Sequence, residues 1–497
     1  MNNLFTRILS VFSVFLICSC ADGGTTPLPT SDGGGLSADA SDASKPDSGP
    51  TSSVPMIDEA FPLSDEGTFK ESCPKGSAPT PGVGPGDALH RVTIDLKEFP
   101  NAVCNDGSKP VVYIRKSTGG ENENKWLFHF QGGGGCSGEY TSCFDRWCGN
   151  DYYHAGKMSS RWSKESMNSG GIVNRNNKKN TLADGNIVFL HYCSSDGWGR
   201  QVSDYVVTSS EDPTKSYRMH FRGRTIVEAV FAQLLSGSTT SDNGTETVPS
   251  IATANEVLIT GSSAGSGGVL TNLDWISEKL GASANVKGVF DAAYLPLMED
   301  ITDEKVVEGF NMKFAAGLER YQANPDDTTK YRDESCMETL ADDPRDCFHT
   351  NELRLNHVTT PFFIRADLAD PKTVAPIFEA RLLVEPNSPG TPKSPEILKS
   401  VAEWSRATAL RFKDVMTTAT EKDKYTITPG VYGNLCQQHI ALTNDDWFFE
   451  ATLKDKNGVE KSFHDALKDW LDGKAVEIVD TVPPTLSTCK VTTDQLD

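Results

Sequence analysis

EVLITGSSAGSGGVL, from Glu256 to Leu270, joins an apolar run with the character of a strand to a small-residue stretch able to open a helix. The junction is Gly261-Ser262-Ser263-Ala264-Gly265. A serine placed there needs a sharp, strained strand-to-helix turn to hold its Oγ clear of the sheet. Gly261 and Gly265 stand where a Cβ would strike neighbouring backbone. The stretch predicts a mainly parallel α/β sheet with Ser263 as a nucleophile at the end of one strand. G-x-S-x-G also arises by chance in a chain of 497 residues, so the assignment depends on partners elsewhere.

The first partner is upstream. Lys125 to Gln131, KWLFHFQ, reads as a buried strand running directly into Gly132-Gly133-Gly134-Gly135-Cys136. Ester hydrolysis passes through a tetrahedral oxyanion. On an elbow architecture the amide after the nucleophile, here Ala264, stabilises it together with amides of a glycine loop after an earlier strand. Gly133 and Gly134 are the candidates. An ordinary flexible turn would also contain glycine, but four in a row directly after an apolar strand fit an amide cradle better.

A serine hydroxyl becomes reactive when an imidazole takes its proton and a carboxylate fixes the tautomer of that imidazole. The chain order serine, acid, histidine restricts the base to His349, His357, His439 and His464. His349 and His357 precede the strand at Pro361 and leave little room for an acid before them. His464, in KSFHDALKDWL, fits a surface helix as a solvated or capping residue. His439 follows a strand expected over Gly430 to Leu435 and is the candidate base. For the acid, the strand PFFIR at Pro361 runs into Ala366-Asp367-Leu368-Ala369-Asp370-Pro371; Asp370 is the first choice and Asp367 the reserve. A turn or cap carboxylate is the competing account of either.

These residues carry a resemblance. HYCSSDGWG (His191 to Gly199), FRGRTIVEAV (Phe221 to Val230), ITGSSAGSGGVLTNLDWI (Ile259 to Ile276), FFIRADLAD (Phe362 to Asp370) and Cys436-x-x-His439 followed by Trp447 together resemble the pectin acetylesterase and Notum family. The similarity is closest to the Notum branch and covers roughly Thr68 to Thr488 in order, sparsely between motifs. It implies an α/β-hydrolase-like carboxylesterase with nucleophile Ser263, acid Asp370, base His439 and an oxyanion loop at Gly133 and Gly134. Two departures stand out. The family commonly has tryptophan where this chain has Gly135, and plant members have cysteines where Ser262 and Leu273 stand. The resemblance also implies an acyl-ester substrate: family members remove acetyl groups from pectin in plants and a palmitoleoyl group from Wnt proteins in animals.

The amino terminus suggests an address. Met1 to Cys20 has a polar start with Arg7, an apolar core from Ile8 to Leu16, and Ser19 before Cys20. That is a secretory signal, shorter than the ~20 apolar residues of a membrane span, and it resembles a bacterial lipobox with Cys20 as the acylated residue. A signal cleaved slightly later is the alternative. Residues 21–57 are rich in Gly, Ser, Thr, Asp and Pro and read as a disordered tether, which leaves 58–497 as one large esterase domain. The expected location is the bacterial cell envelope, surface-exposed or periplasmic. The protein is expected to be a monomer that meets the membrane only through its N-terminal lipid.

Cysteine usage agrees with export. Without Cys18 and Cys20 an even set of ten remains, as a disulfide framework requires. Cys336 with Cys347, closing a loop, is the expected local bond, and some of Cys136, Cys143 and Cys148 should brace the glycine loop. Zinc competes weakly: no C-x-x-C occurs, and Cys436-x-x-His439 is half a ligand set. No metal or cofactor is expected.

Strands near Trp126, Asn186, Glu256, Val286 and Pro361 alternate with helical patterns over Thr225–Leu235, Val269–Leu280 and Val401–Val415, which predicts helices on both faces of the sheet. The polar stretches 157–179 and 326–350 read as inserted loops or a lid. A net charge of −21 without a basic stripe argues against nucleic acid. It does not exclude an acidic polysaccharide, because screening over ~8 Å leaves only charges near the cleft to decide. Acylated extracellular polysaccharide, acetyl esters first, is the expected substrate, with a longer-chain O-acyl ester as the alternative. A surface binding module that keeps the elbow without turnover is the reading from a different class.

Overall fold

The computed structural model describes residues 53–62, 87–136, 140–148, 155–292, 333–340, 356–373, 395–421, 427–436 and 438–480, with a few isolated positions between them. The expected signal, Cys20 and residues 21–52 lie outside the described residues. The chain divides into two units, 1–52 and 53–497. Met56 and Ile57 are apolar residues at the end of a polar stretch, and they are buried. Arg218 N donates to Pro55 O at 2.9 Å.

Among the described residues ten strands form the central sheet: β1 Leu89–Thr93, β2 Val111–Arg115, β3 Lys125–Phe130, β4 Ser166–Met167, β5 Asn186–Leu190, β6 Glu256–Ser262, β7 Asn285–Asp291, β8 Phe362–Asp367, β9 Gly430–Asn434 and β10 Glu477–Val479. Their order is β10-β9-β8-β7-β6-β3-β5-β2-β1-β4. Neighbours from β10 to β5 are parallel. The pairs β5-β2, β2-β1 and β1-β4 are antiparallel. The expected strands all appear; β1, β2, β4 and β10 were not read from the sequence.

Central parallel strands are covered on both faces, which is why they read as continuous apolar runs. Alternate residues feed two cores. Trp126, Phe128, Phe130, Val257, Ile259, Phe290 and Ile364 face one; Leu127, Leu258, Val289 and Phe363 face the other. The first core is closed by α2 (Gly223–Ser236), α3 (Ala264–Leu280) and α4 (Pro395–Glu421) through residues such as Phe231, Leu273 and Trp404. The second is closed by α5 (Phe463–Leu471) and by the turn carrying Trp447, Phe448 and Phe449. Each fully buried side chain of this size contributes about 1.5–3 kcal/mol of transfer free energy, so the sheet is a rigid platform for what sits at its rim. A further helix, α1 (Tyr140–Cys148), flanks the glycine loop.

His464 differs from its expected place. It is 4% exposed, its ring lies against Phe448 and Phe449, and its Nδ1 is 3.1 Å from Asp465 Oδ1. The helix is capped instead by Ser462, whose Oγ accepts from Asp465 N. The apolar face of α5 spans Phe463, Ala466, Leu467 and Trp470, and His464 falls beside that face rather than opposite it.

Cys336–Cys347 is a disulfide, as expected; Cys136–Cys143 is a second, among the cysteines expected near the glycine loop, and Cys104–Cys193 is a third. Cys148 and Cys436 are disulfide-bonded as well. Within 157–179 the loop is anchored rather than free-standing: Met158, Ile172 and Val173 are fully buried and Ile172 N donates to Leu442 O at 2.7 Å. Of 326–350, only 333–340 and Cys347 fall among the described residues.

Candidate active site

The site is assembled where the parallel strands end. β6 closes at Ser262, paired with Asp291 on β7. Ser263 then adopts φ 57°, ψ −122° before α3 begins at Ala264. A non-glycine residue in this region costs on the order of 1–3 kcal/mol and persists only where neighbours impose it. Here Ser263 N donates to Asp291 O at 2.8 Å, and Ser263 O accepts from Ser266 N at 2.9 Å. The next glycine allows the close approach of helix and strand: a Cβ on Gly265 would lie 1.9 Å from Phe130 O.

Asp370 follows β8 and His439 follows β9, each in a loop beyond a strand end. His439 Nε2 is 2.8 Å from Ser263 Oγ. On its other side, His439 Nδ1 lies 2.7 Å from Asp370 Oδ2 and 2.9 Å from Oδ1. Asp370 is 2% exposed, and its Oδ1 also accepts from Lys372 N at 2.8 Å. Since the carboxylate accepts at Nδ1, the proton belongs there and the Nε2 lone pair faces the hydroxyl. An imidazole held this way can take the hydroxyl proton as the oxygen attacks a carbonyl.

The other candidates lie elsewhere. Asp367 Oδ2 is 2.5 Å from Arg365 Nη2 and so serves an ion pair. His357 Nδ1 is 3.0 Å from Ser335 Oγ, and His349 is outside the described residues.

The glycine loop runs beside the elbow. A Cβ on Gly132 would fall 2.3 Å from Ser262 O and 3.1 Å from Ser263 Cβ, so the loop and the elbow lie against each other with no room for a side chain between them. Among the described residues, no acceptor takes the N–H of Gly133 or Gly134. Ala264 is the first residue of α3 and has no carbonyl one turn back to bond. The positive end of the α3 dipole lies at this point. From the far side, the stem of Lys157 approaches to 3.0 Å of where a Gly133 Cβ would sit. Burial pushes the Lys157 ammonium well below the usual lysine range, and the nearby Arg146 charge adds to this. Ser195 ties the loop down: its O accepts from Cys136 N at 3.1 Å and its Oγ from Arg146 Nε at 2.8 Å.

One cluster was missed by sequence reasoning. Asp291, at the end of β7, is fully buried. Its Oδ2 accepts from Ser262 Oγ at 2.8 Å, Ala441 N at 2.9 Å and Leu442 N at 3.0 Å. Its Oδ1 accepts from Arg365 Nη1 at 3.0 Å, and the same Nη1 reaches His439 O at 3.3 Å. Burial alone would lower the Arg365 pKa, but Asp367 and Asp291 outweigh it and hold the guanidinium above its ordinary value. The available signal was a charge inside each of two apolar strand runs, VKGVFD and FFIRAD, since a charge is buried only when paired. Of the departures noted in sequence, Ser262 is thus a donor to Asp291, and Gly135 has no room for a side chain: its Cβ would lie 2.6 Å from Ser195 O.

Fold and relatives together define the class, an α/β-hydrolase-like sheet in a chain of an esterase family. The profile of the family described as Pectinacetylesterase matches residues 87–490, and the chain belongs to that family. Pectin acetylesterase 4 of Arabidopsis thaliana is 22% identical over 428 residues, 85% of this chain and 93% of that protein. Palmitoleoyl-protein carboxylesterase NOTUM of Schmidtea mediterranea is 32% identical over 208 residues, 40% of this chain but only 34% of that protein's length. The structure of the Wnt deacylase Notum from Drosophila, crystal form II, superposes with a TM-score of 0.57 at 23% identity, covering 79% of this chain and 96% of that one. That likeness establishes the fold. Among the described residues no helix is long and apolar enough to cross a membrane.

Proposed function

We propose that the protein is an exported, lipid-anchored serine carboxylesterase that removes acetyl groups from extracellular polysaccharide. Ser263 Oγ attacks the ester carbonyl while His439 takes its proton, and Asp370 orients and stabilises the imidazolium. The amides of Ala264, Gly133 and Gly134 receive the oxyanion. His439 returns the proton to the departing sugar hydroxyl; water then repeats the sequence on the acyl-enzyme, releasing acetate and restoring Ser263. The observation that carries this reading is the imidazole of His439 lying 2.8 Å from Ser263 Oγ with both Asp370 oxygens within 2.9 Å of its other nitrogen.

The polysaccharide substrate is supported by the family match and by alignment over 93% of the Arabidopsis enzyme. The export reading rests on the lipobox-like Cys20, the polar segment that follows it and the disulfides.

Purified residues 54–497 are expected to hydrolyse p-nitrophenyl acetate, with Ser263→Ala losing at least about 10³-fold in kcat while staying folded. Equal rates for the two proteins reject the mechanism. Acetate release from acetylated pectin, xylan and chitin identifies the polymer. A preference for octanoyl over acetyl esters would favour a long-chain deacylase, which needs a deep apolar pocket. Cys20→Ala should release the full chain from the membrane fraction.

A further inference from the structure

We propose that Asp291 is a positioning residue that sets the nucleophile and the base in a common register. The inference rests on the Ser263–His439–Asp370 reading and adds to it.

Three donors from two separate parts of the chain converge on one oxygen of Asp291. Ser262 Oγ precedes the nucleophile, while the amides of Ala441 and Leu442 follow His439 by two and three residues. The main chain of Asp291 contributes too, since its O accepts from Ser263 N at 2.8 Å. The other carboxyl oxygen holds Arg365 Nη1, and that nitrogen also reaches the carbonyl of His439. The elbow and the base loop therefore meet on one buried side chain. The direct hydrogen bond between them is the one from Ser263 Oγ to His439 Nε2, which turnover must break and remake.

The chemistry of the side chain explains why an aspartate stands here. Four donors point at it, and an ionised carboxylate is acceptor-only with room for all of them. An amide would turn a donor toward either the 441–442 amides or Arg365. Asp291 is not the orienting acid of the base, because His439 Nδ1 is already engaged by both oxygens of Asp370. It acts through Ser262, Arg365 and the base loop. A misplacement on the order of 1 Å between reacting groups costs about 10²-fold in rate.

The test compares Asp291→Asn, Ser262→Ala and Leu234→Ala with the unaltered protein, using p-nitrophenyl acetate kinetics, labelling of Ser263 by an organophosphorus ester, and the low-field proton resonance of His439 Nδ1–H. Leu234 is buried in α2, in the core under the sheet, and serves as a destabilised control. Asp291→Asn should lose about 10²-fold in kcat with KM within about threefold, label more slowly, and lose or shift the low-field resonance. Ser262→Ala removes one donor and should lose a smaller part, about three- to tenfold. Leu234→Ala should lower the melting temperature while keeping kcat and the resonance.

Folded Asp291→Asn with kcat within threefold of the unaltered protein overturns the proposal. So does a Leu234→Ala variant of matched stability that loses as much kcat, because the effect would then follow stability rather than position. Should Asp291→Asn not fold, Ser262→Ala decides: unchanged kcat and an unmoved resonance in that variant overturn the proposal. Activity surviving in Ser263→Ala would instead sink the underlying mechanism.

Discussion

Gly132→Ala gives the sharpest test of how the glycine loop and the elbow cooperate. The added Cβ would sit 2.3 Å from Ser262 O and 3.1 Å from Ser263 Cβ, whereas ordinary contact begins near 3.4 Å. Both obstacles are backbone or the Cβ of Ser263, so neither can swing aside as the end of a flexible side chain would. The loop and the elbow must separate by about 1 Å, which carries Gly133 and Gly134 away from Ser263. Misplacement of that size costs about 10²-fold in kcat/KM, or about 2.7 kcal/mol of transition-state stabilisation, with an overpacking cost of about 1–3 kcal/mol in stability. The assay is kcat/KM on p-nitrophenyl acetate together with a urea unfolding midpoint. Gly134→Ala is the contrast. Its Cβ meets nothing closer than Arg146 Nη1 at 3.8 Å, although its φ of +62° adds about 1 kcal/mol of backbone strain. It should lose less than about tenfold in rate. If Gly132→Ala keeps kcat/KM within threefold, or if Gly134→Ala is the more damaging of the two, the contact between loop and elbow does not control the chemistry.

Two further outcomes follow from buried groups near the site. Burial holds the His129 imidazole at about 4, so the folded state keeps it neutral while the unfolded chain begins to protonate near 6.5. The unfolded state therefore gains its proton first: stability should fall as pH drops from about 6.5 to about 4, by up to about 3 kcal/mol from this group, and then level off. Urea midpoints across that range should fall less steeply in His129→Gln, and identical slopes would refute the assignment. The Cys136–Cys143 bridge closes a short loop beside Gly135. Replacing both cysteines by serine should cost about 2 kcal/mol and lower kcat more than KM is altered, measured by unfolding and by kinetics on the same ester. A variant that loses stability but keeps kcat would show that the bridge does not hold the loop for catalysis.

The strands that matter were legible because a parallel strand covered on both faces leaves a mostly apolar run, and WLFHF, VLIT and FFI are such runs. Edge strands were not: β4 and β10 are two and three residues long, too short for any period to show. His464 misled for a related reason. Helical spacing indicates which way a residue points, but not that Phe448 and Phe449 from another segment will cover the margin of that face.

By itself the sequence determined the elbow, the glycine loop and a short list of acids and bases, because those depend on local backbone demands that only a few residue types meet. The sequence preferred Asp370 to Asp367, but the partner each carboxylate meets was not legible in it. Asp367 ends the strand and Asp370 lies three residues beyond it, and what separates them is that Arg365 engages Asp367 while His439, sixty-nine residues beyond Asp370, arrives at the latter. The place of Asp291 belonged to tertiary structure altogether. Its side-chain carboxylate's donors are 29, 74, 150 and 151 residues away, and a carboxylate's role is set by whichever donors the packed strands bring to it, which no local pattern encodes.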